Sequence, residues 1–147
     1  MIQNNFHGQI INNKSELLSP PPARLLPVLE KAKVVYKKWM EMHRNIERTA
    51  RFSIGTRIDN SLLDILELLR RAVYTPIDKK IILLNEASIK IDTSRFFLQI
   101  LWETKLISSK QYISIETDIQ DLGRIIGGWK KGLVIKTSTE KAEERKQ

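Results

Sequence analysis

The sequence contains no cysteine and only two histidines, His7 and His43. The absence of thiols excludes cysteine nucleophiles, thiolate zinc sites and disulfide bonds, and it suits a reducing compartment. No apolar run approaches the ~20 residues that are needed to span a bilayer. The N-terminus also lacks the basic segment and the apolar segment of a secretory signal. We therefore expect a soluble, cytoplasmic protein.

Motifs of common active sites are missing too. The Glu-x-x-His pairs of a di-iron bundle do not occur, and there is no P-loop, GxGxxG sequence or nucleophile elbow. The glycines of GRIIGGWKKG (123–132) follow a predicted helix instead of preceding one, so they cannot form a phosphate-binding nest. Carboxylates are spread along solvated helix faces, at Asp64, Glu67, Glu86, Asp92, Glu103, Glu116, Asp118 and Asp121. His43 falls on an apolar helix face, where a packing role is commoner than metal binding. We expect neither enzymatic activity nor a cofactor.

Proline and glycine are scarce, with five and six residues, and three of the prolines are consecutive. The segment SPPPA (19–23) forbids helix and favours an extended chain. We expect residues 1–23 to be a flexible arm, residues 24–132 to be one domain, and residues 133–147 to be a charged, disordered tail. A chain of 147 residues is long enough to bury a core without metal or disulfides.

Four stretches of the domain have the apolar spacing of amphipathic helices. The first is 24–48, with apolar residues at 25, 28, 29, 32, 35, 36, 39, 42 and 46. The second begins after Ser53 and the third after Thr75, two candidate N-caps, and the third ends near residue 104. Ser108 and Gln111 form a capping box before the fourth. Its apolar residues follow a heptad: Tyr112, Ile115, Ile119, Leu122, Ile126 and Trp129. The pattern predicts an all-α, up-down-up-down four-helix bundle.

Two of these helices have more apolar surface than a bundle of this size covers. In the second helix, Leu63 and Leu68 lie roughly 100–120° from the centre of the apolar stripe. In the third, IILL (81–84) and FFLQILW (96–102) are apolar on nearly all sides. Because the neighbouring helices cannot cover all of this surface, we expect a homo-oligomer.

The outer face of the second helix carries mixed charge, from Arg57, Asn60, Asp64, Glu67 and Arg71. One interpretation is a solvent-exposed face with internal salt bridges. The other is a polar seam between subunits, in which complementary charges fix the register. The flanking Leu63 and Leu68 favour the seam. Two further candidates for a subunit or partner interface are Arg95 and Arg124.

The net charge is +8, and most of it comes from the region of the first helix. Residues 24–57 hold nine Lys and Arg but only three Glu, whereas residues 58–135 hold eleven basic and ten acidic residues. A soluble protein of high pI without an anionic partner is one explanation. A concentrated basic surface instead favours an anionic partner, with nucleic acid ahead of a membrane surface.

A row of cations on the first helix is the main candidate for this contact. Lys33, Lys37, Arg44 and Arg48 fall within a sector of roughly 60°, and repetition around an oligomer would make a phosphate-binding surface. Base-reading helix-turn-helix groupings and aromatic RNA-binding strands are absent, so we expect contacts to backbone and shape with little sequence specificity. The candidate nucleic-acid-binding residues are Lys33, Lys37, Lys38, Arg44, Arg48, Arg51, Lys130 and Lys131.

Three motifs spread over about residues 24–132 resemble one family. They are RFSIGTRIDNSLLDILELL (51–69), KLISSKQY (105–112) and LGRIIGGWKK (122–131). In this order they are similar to the accessory variability determinant proteins of diversity-generating retroelements, which are encoded by bacteria, archaea or phages. The matching positions are Arg51, Phe52, Gly55, Arg57, Gln111, Tyr112, Gly123, Arg124, Gly127, Gly128 and Trp129.

The resemblance implies a four-helix bundle that assembles into a pentameric barrel. It also implies a non-enzymatic, basic protein that binds the retroelement's reverse transcriptase and its template RNA, and that supports mutagenic, adenine-directed reverse transcription. Most motif positions would be structural: Gly55 would allow close approach at a helix start, and Trp129 would close the core. Arg57 and Arg124 would pair with acids or reach the partner.

Two alternatives remain open. A related branch is the four-helix protein encoded in intervening sequences of large-subunit ribosomal RNA genes. That branch usually carries Ser-Ile-Pro-x-Asn-Ile-Ala-Glu-Gly, whereas the comparable part of this chain reads DNSLLDILELL (59–69). The other alternative is a purely structural oligomer whose basic surface meets only a protein partner.

Overall fold

The computed structural model describes residues 26–146. Between these residues the chain is helical and contains no β-strand, so the predicted all-α class is confirmed. The helices are α1 (Leu26–His43), α2 (Arg48–Arg51, a single turn), α3 (Ile54–Val73), α4 (Ile77–Glu103) and α5 (Ser109–Lys146). The predicted flexible arm, residues 1–23, lies outside the described residues.

The four long helices form a ring in which each helix runs antiparallel to its neighbours. α3 packs against α1 and α4, and α5 packs against α4 and α1. Tyr36 and Trp39 of α1 both donate hydrogen bonds of 3.1 Å to Asp59 Oδ1 of α3. We call the end with the α1–α3 and α4–α5 connections the near end, and the end with the α3–α4 connection the far end. The arrangement is a four-helix bundle.

The core consists of the apolar faces that the spacing predicts. Each long helix contributes at least one fully buried large side chain, among them Trp39, Leu69, Leu98 and Ile119. The predicted heptad of α5 is buried from residue 115 to residue 126, and the two aromatic residues at its ends pack against the core. Trp129, the last of them, is half-buried there, as the resemblance implies.

The helix starts agree only in part with the prediction. The capping box is confirmed, because Gln111 N–H donates to Ser108 Oγ (3.1 Å) and Ser108 N–H donates to Gln111 Oε1 (2.9 Å). Ser53 occupies the N-cap position of α3 as predicted, but its side chain makes no capping hydrogen bond, and at α4 the N-cap position belongs to Pro76 and not to Thr75. Ser53 Oγ donates to Thr49 O (2.8 Å) and Thr75 Oγ1 donates to Arg71 O (2.6 Å), so both hydroxyls bond back into the preceding helix.

The first helix is also shorter than the spacing predicts. The predicted helix 24–48 ends at His43, and α2 follows after a short turn. Glu47 starts α2, because its two carboxylate oxygens accept the N–H groups of Thr49 (3.0 Å) and Ala50 (3.2 Å). These hydrogen bonds lower the pKa of Glu47 below its ordinary value. Ile46 keeps the helical spacing in the sequence and is buried from the turn.

The last helix is longer than predicted. α5 extends to Lys146, and the stretch expected to be a disordered tail is helical in the described residues. The glycines at 127, 128 and 132 do not end it, since none of them takes the positive φ of a helix-terminating glycine. Ile126 is its last buried residue and Leu133 is the last described residue that packs against the core, so the part of α5 after Leu133 extends beyond the core.

One residue assigned to the interface belongs to the core instead. Leu68 is only 6% exposed and packs inside the bundle, because α3 is covered by α1 on one side and by α4 on the other. Leu63 is 41% exposed. On α4, the predicted surplus of apolar surface is present: Ile82, Ile89 and Phe96 are all exposed, and they are seven residues apart on one outer face.

Candidate nucleic-acid interface

The outer face of α1 and the turn after it carry three of the predicted cations. Lys33 and Lys37 are exposed on the side of α1 opposite the buried stripe, and Arg44 is exposed in the turn that follows His43. Lys33 Nζ lies 2.6 Å from Glu30 Oε1, an exposed pair one turn apart. Lys37 and Arg44 form no ion pair with another residue of the described chain, so their charges face solvent.

The near end adds two arginines from the α1–α3 connection. Arg48 is exposed on α2, and Arg51 is half-buried beside it. Arg51 Nη1 donates to Arg44 O (3.4 Å), and its guanidinium lies 5.6 Å from the centre of the exposed Phe52 ring. The row of cations on α1 therefore continues around the near end of the bundle, which forms one basic surface from residue 33 to residue 51. We call this surface the α1–α2 basic face.

Gly55 and His43 hold this corner together. The His43 ring stacks on Trp39, with centroids 4.9 Å apart, and His43 Nε2 lies 3.2 Å from Arg51 O. A Cβ on Gly55 would come within 2.9 Å of His43 Nε2 and 3.1 Å of Ala50 O. The glycine is required for close approach at the start of α3, as the resemblance implies. His43 has the packing role that the sequence favours.

Lys38 is set apart from the other predicted cations of α1. Its ammonium pairs with Asp118 of α5 and donates to Ser114 Oγ (2.9 Å). Lys31 Nζ reaches the same carboxylate at 2.7 Å. Asp118 is buried, which corrects the expectation of a solvated carboxylate. Burial opposes its charge, but the hydrogen bonds from the two lysines prevail and lower its pKa below the ordinary value.

The remaining two predicted nucleic-acid-binding residues lie elsewhere. Lys130 is half-buried and Lys131 is exposed on α5, after its last buried residue. Because α5 is antiparallel to α1, this position is at the far end of the bundle. The structure therefore separates Lys130 and Lys131 from the α1–α2 basic face.

The polar strip on α3 is partly used within the chain. Lys90 Nζ of α4 lies 3.1 Å from Asp64 Oδ2, and the Arg57 guanidinium lies 5.9 Å from the centre of the Phe97 ring. Both contacts join α3 to α4. The other members of the strip are exposed: Asn60, Glu67 and Arg71.

The two other candidate interface arginines also have partners in the chain. Arg95 of α4 binds Glu116 of α5 through Nε (2.9 Å) and Nη2 (2.5 Å). The hydrogen bonds to Glu116 raise the pKa of Arg95. Arg124 pairs with Asp121 one turn away on α5, and most of its side chain is exposed.

An aromatic pair that the sequence pattern did not predict lies at the α4–α5 turn. The Trp102 and Tyr112 rings are stacked, with centroids 4.8 Å apart and planes 6° from parallel. Trp102 Nε1 donates to Ser109 Oγ (3.0 Å). The sequence feature that could have indicated this pair is the motif KLISSKQY (105–112), which starts three residues after Trp102 and ends at Tyr112.

A metal-binding cluster or a membrane-spanning helix would indicate other functions. Between residues 26 and 146, no three His, Asp or Glu side chains are grouped closely enough to hold a metal ion. None of the helices in this part of the chain combines the length and the apolar character that crossing a membrane requires.

Comparison with protein-family models and with curated proteins gives no match. Among solved structures, the fold is similar to the crystal structure of a protein of unknown function from the S23 ribosomal protein family of Bacteroides thetaiotaomicron. The TM-score is 0.68 at 20% sequence identity, over 74% of this chain and 98% of that chain. At this identity the similarity concerns the fold.

Proposed function

We propose that this chain is a non-enzymatic accessory protein that binds RNA through the α1–α2 basic face and assists a reverse transcriptase of a diversity-generating retroelement. The observation that carries the RNA-binding part is the position of Lys33, Lys37, Arg44 and Arg48. All four are exposed, and they follow one side of the bundle around its near end. Lys33 and Lys37 lie opposite the buried stripe of α1, and Arg44 and Arg48 follow in the turn and in α2, where an extended polyanion can approach.

The form of this surface favours phosphate contacts. Lysine and arginine on a rigid helix neutralise backbone charge and release counterions, which gives affinity without reading the bases. Lys38 contributes little to this surface because its ammonium is paired with Asp118 of α5. The acidic groups on or beside the surface are Glu30, Glu41 and Glu47, fewer than the cations.

The reverse transcriptase and the subunit assembly in this proposal derive from the three motifs that resemble the accessory variability determinant family. The exposed apolar row on α4, at Ile82, Ile89 and Phe96, is the surface we assign to contact between copies in a pentameric barrel. The fold neighbour's name refers to a ribosomal protein family, and this is compatible with an RNA partner.

Binding of a structured RNA across a series of salt concentrations tests the proposal. The wild-type protein should show log K falling by roughly 0.7–0.9 per phosphate contact for each unit of log salt. The variant K33Q/K37Q/R44Q/R48Q should lose both affinity and salt slope. The matched control removes four exposed cations elsewhere: K79Q/K136Q/K141Q/R145Q.

This control variant has the same net charge as the quadruple variant of the α1–α2 basic face. Comparing the two therefore distinguishes binding by that face from binding by overall positive charge. Equal losses in both variants would show that only total charge matters. Weak and equal binding by all three proteins would overturn the RNA-binding function. The second candidate, a structural oligomer with a protein partner only, would then be favoured by the exposed apolar row on α4.

A further inference from the structure

The Trp102 indole at the α4–α5 turn is held in a fixed orientation although 38% of the residue is exposed. Tyr112 stacks on one face of the indole, and Ser109 Oγ accepts a hydrogen bond from its N–H group at 3.0 Å. These two contacts fix the ring plane before any ligand arrives. A ligand that stacks on an ordered ring causes a smaller loss of side-chain entropy than one that must order the ring first.

The indole borders an open cavity of about 640 Å³, which is large enough for a nucleobase. Trp102 lines this cavity, whereas Tyr112 lines a different one of about 300 Å³ together with Phe96 and Gln99. The indole is therefore the ring of this pair that lines the larger cavity, and the tyrosine stacks on one face of it without lining that cavity.

Lys105 lines the same cavity in a backbone conformation that lysine rarely adopts. Its φ is 62°, in the left-handed region. Leu106 N–H donates to Leu101 O (2.8 Å) and Lys105 N–H donates to Trp102 O (3.0 Å), which is the Schellman pattern that normally places glycine at this position. Residues in strained conformations occur preferentially at functional sites. Here the strained residue puts a cation beside an exposed aromatic ring.

The remaining groups of the site complete a polar rim. The Ser109 hydroxyl accepts from the indole, and its own O–H is still able to donate to a ligand. Lys110 follows it and is exposed. Glu103 is the acidic residue that lines the cavity, and Gln99 Nε2 donates to its carboxylate at 2.8 Å. Within the lining the charges of Lys105 and Glu103 offset each other, and the exposed Lys110, next to Ser109 in the chain, adds a positive charge beside it.

We propose that this site binds an unpaired nucleobase of single-stranded RNA. The base stacks on the open face of Trp102, the lysines at 105 and 110 contact the flanking phosphates, and Ser109 donates to the base edge. The inference rests on the proposed RNA-binding function and adds to it. The α1–α2 basic face binds phosphates whether or not the bases are paired, whereas the Trp102 site requires an accessible base.

The test compares a short oligouridine with an abasic oligomer of equal length, which has the same phosphates and no bases. Wild-type protein should bind oligouridine about tenfold or more tightly than the abasic oligomer, in the range that aromatic–base stacking provides. Trp102→Leu should abolish this difference and leave abasic binding unchanged. Tyr74→Leu is the matched control, because Tyr74 is an exposed aromatic residue at the far end of the bundle.

Two further measurements keep the test independent of a folding defect. Oligouridine should quench indole fluorescence in the wild type. Trp102→Phe, which keeps an aromatic ring, should remove most of that quenching, because Trp39 is buried and the half-buried Trp129 lies at the far end of the bundle. Lys105→Gly relieves the backbone strain, so it should raise the melting temperature while it weakens oligouridine binding. A more stable protein that binds less well cannot be explained by unfolding.

Failure of this site and failure of the RNA-binding function give different results. Equal binding of oligouridine and abasic oligomer by the wild type, or an unchanged difference in Trp102→Leu, overturns the nucleobase site and leaves phosphate binding intact. Absence of salt-dependent binding to either oligomer overturns both proposals.

Discussion

Lys31 and Asp118 are joined by an ion pair of 2.7 Å that connects α1 to the first third of α5. Lys38, two turns further along α1, reaches the same carboxylate. Two cations on one helix therefore hold a single buried anion on its neighbour. This contact fixes the register of α1 against α5, because a shift by one turn would leave the carboxylate facing a different pair of side chains.

Asp118→Asn should lower the free energy of unfolding by about 1–3 kcal/mol, the range for hydrogen bonds to a charged group. This decrease in unfolding free energy should be smaller than for a fully buried ion pair, because Lys31 and Lys38 are both partly exposed. Urea denaturation monitored by circular dichroism measures it. Asp121→Asn is the matched control: Asp121 is half-exposed and lies 3.5 Å from Lys31, so its loss should stay under about 1 kcal/mol. Equal effects of the two substitutions would contradict a special role for Asp118.

The same carboxylate should make stability depend on pH in the acid range. Its folded pKa is depressed, so its contribution is present above the unfolded pKa of roughly 3.9 and is lost as pH falls below it. The pKa of Lys31 is raised, so its contribution remains until pH exceeds its usual range. The difference in unfolding free energy between wild type and Asp118→Asn should be constant from pH 6 to 9 and should shrink below about pH 4. A difference that grows on acidification would show the assignment to be wrong.

Gly55→Ala should destabilise the near end of the bundle by about 1–3 kcal/mol, the usual effect of overpacking. The added Cβ meets His43 Nε2 and a backbone carbonyl, and the carbonyl cannot move without distorting α2. Gly127→Ala is the matched control in open space, and it should stabilise the helix by up to about 1 kcal/mol. Thermal denaturation of the two variants should therefore shift in opposite directions. If Gly55→Ala left the melting temperature unchanged, the contact of residue 55 with His43 and Ala50 would have relaxed without strain.

The exposed row on α4 should control association between copies. The variant I82Q/I89Q/F96Q should retain the helical content of the wild type, since these side chains lie outside the core. It should sediment as a smaller species than the wild type in analytical ultracentrifugation. The variant V34Q/M40Q changes two exposed apolar residues of α1 and should leave the assembly unchanged. A wild-type protein that is monomeric at all concentrations would contradict the assembly itself.

The sequence was sufficient to predict the helices and their buried faces, because the 3.6-residue period is a property of each helix alone. The stripe of α3 that includes Ile58, Leu62 and Leu69 is buried as its spacing predicts. The capping box at Ser108 was also predictable, since both of its partners lie within four residues. The break between α1 and α2 was not predictable, because Ile46 continues the apolar period although α1 has already ended at His43. Glu47 then starts α2 by accepting hydrogen bonds from backbone N–H groups.

Contacts between helices were beyond what the periodicity reveals. Lys38 and Asp118 are 80 residues apart in the sequence, and their pairing depends on the register between α1 and α5. The prediction placed Leu68 on an outer flank, because the apolar spacing of one helix does not show how much of its surface the two neighbouring helices cover. The Trp102–Tyr112 stack was missed for the same reason, since it depends on the geometry of the turn that joins α4 to α5.

The length of α5 determines the separation of the two ends of the molecule. The helix has 38 residues, and at 1.5 Å per residue it extends about 57 Å. Its first turn lies beside Trp102, and its last turn is far outside the core. α5 would thus act as a rigid spacer between a nucleic acid held at the aromatic site and a second molecule bound at its last turn. The number of residues in the helix, and not a flexible linker, would determine the distance between the two.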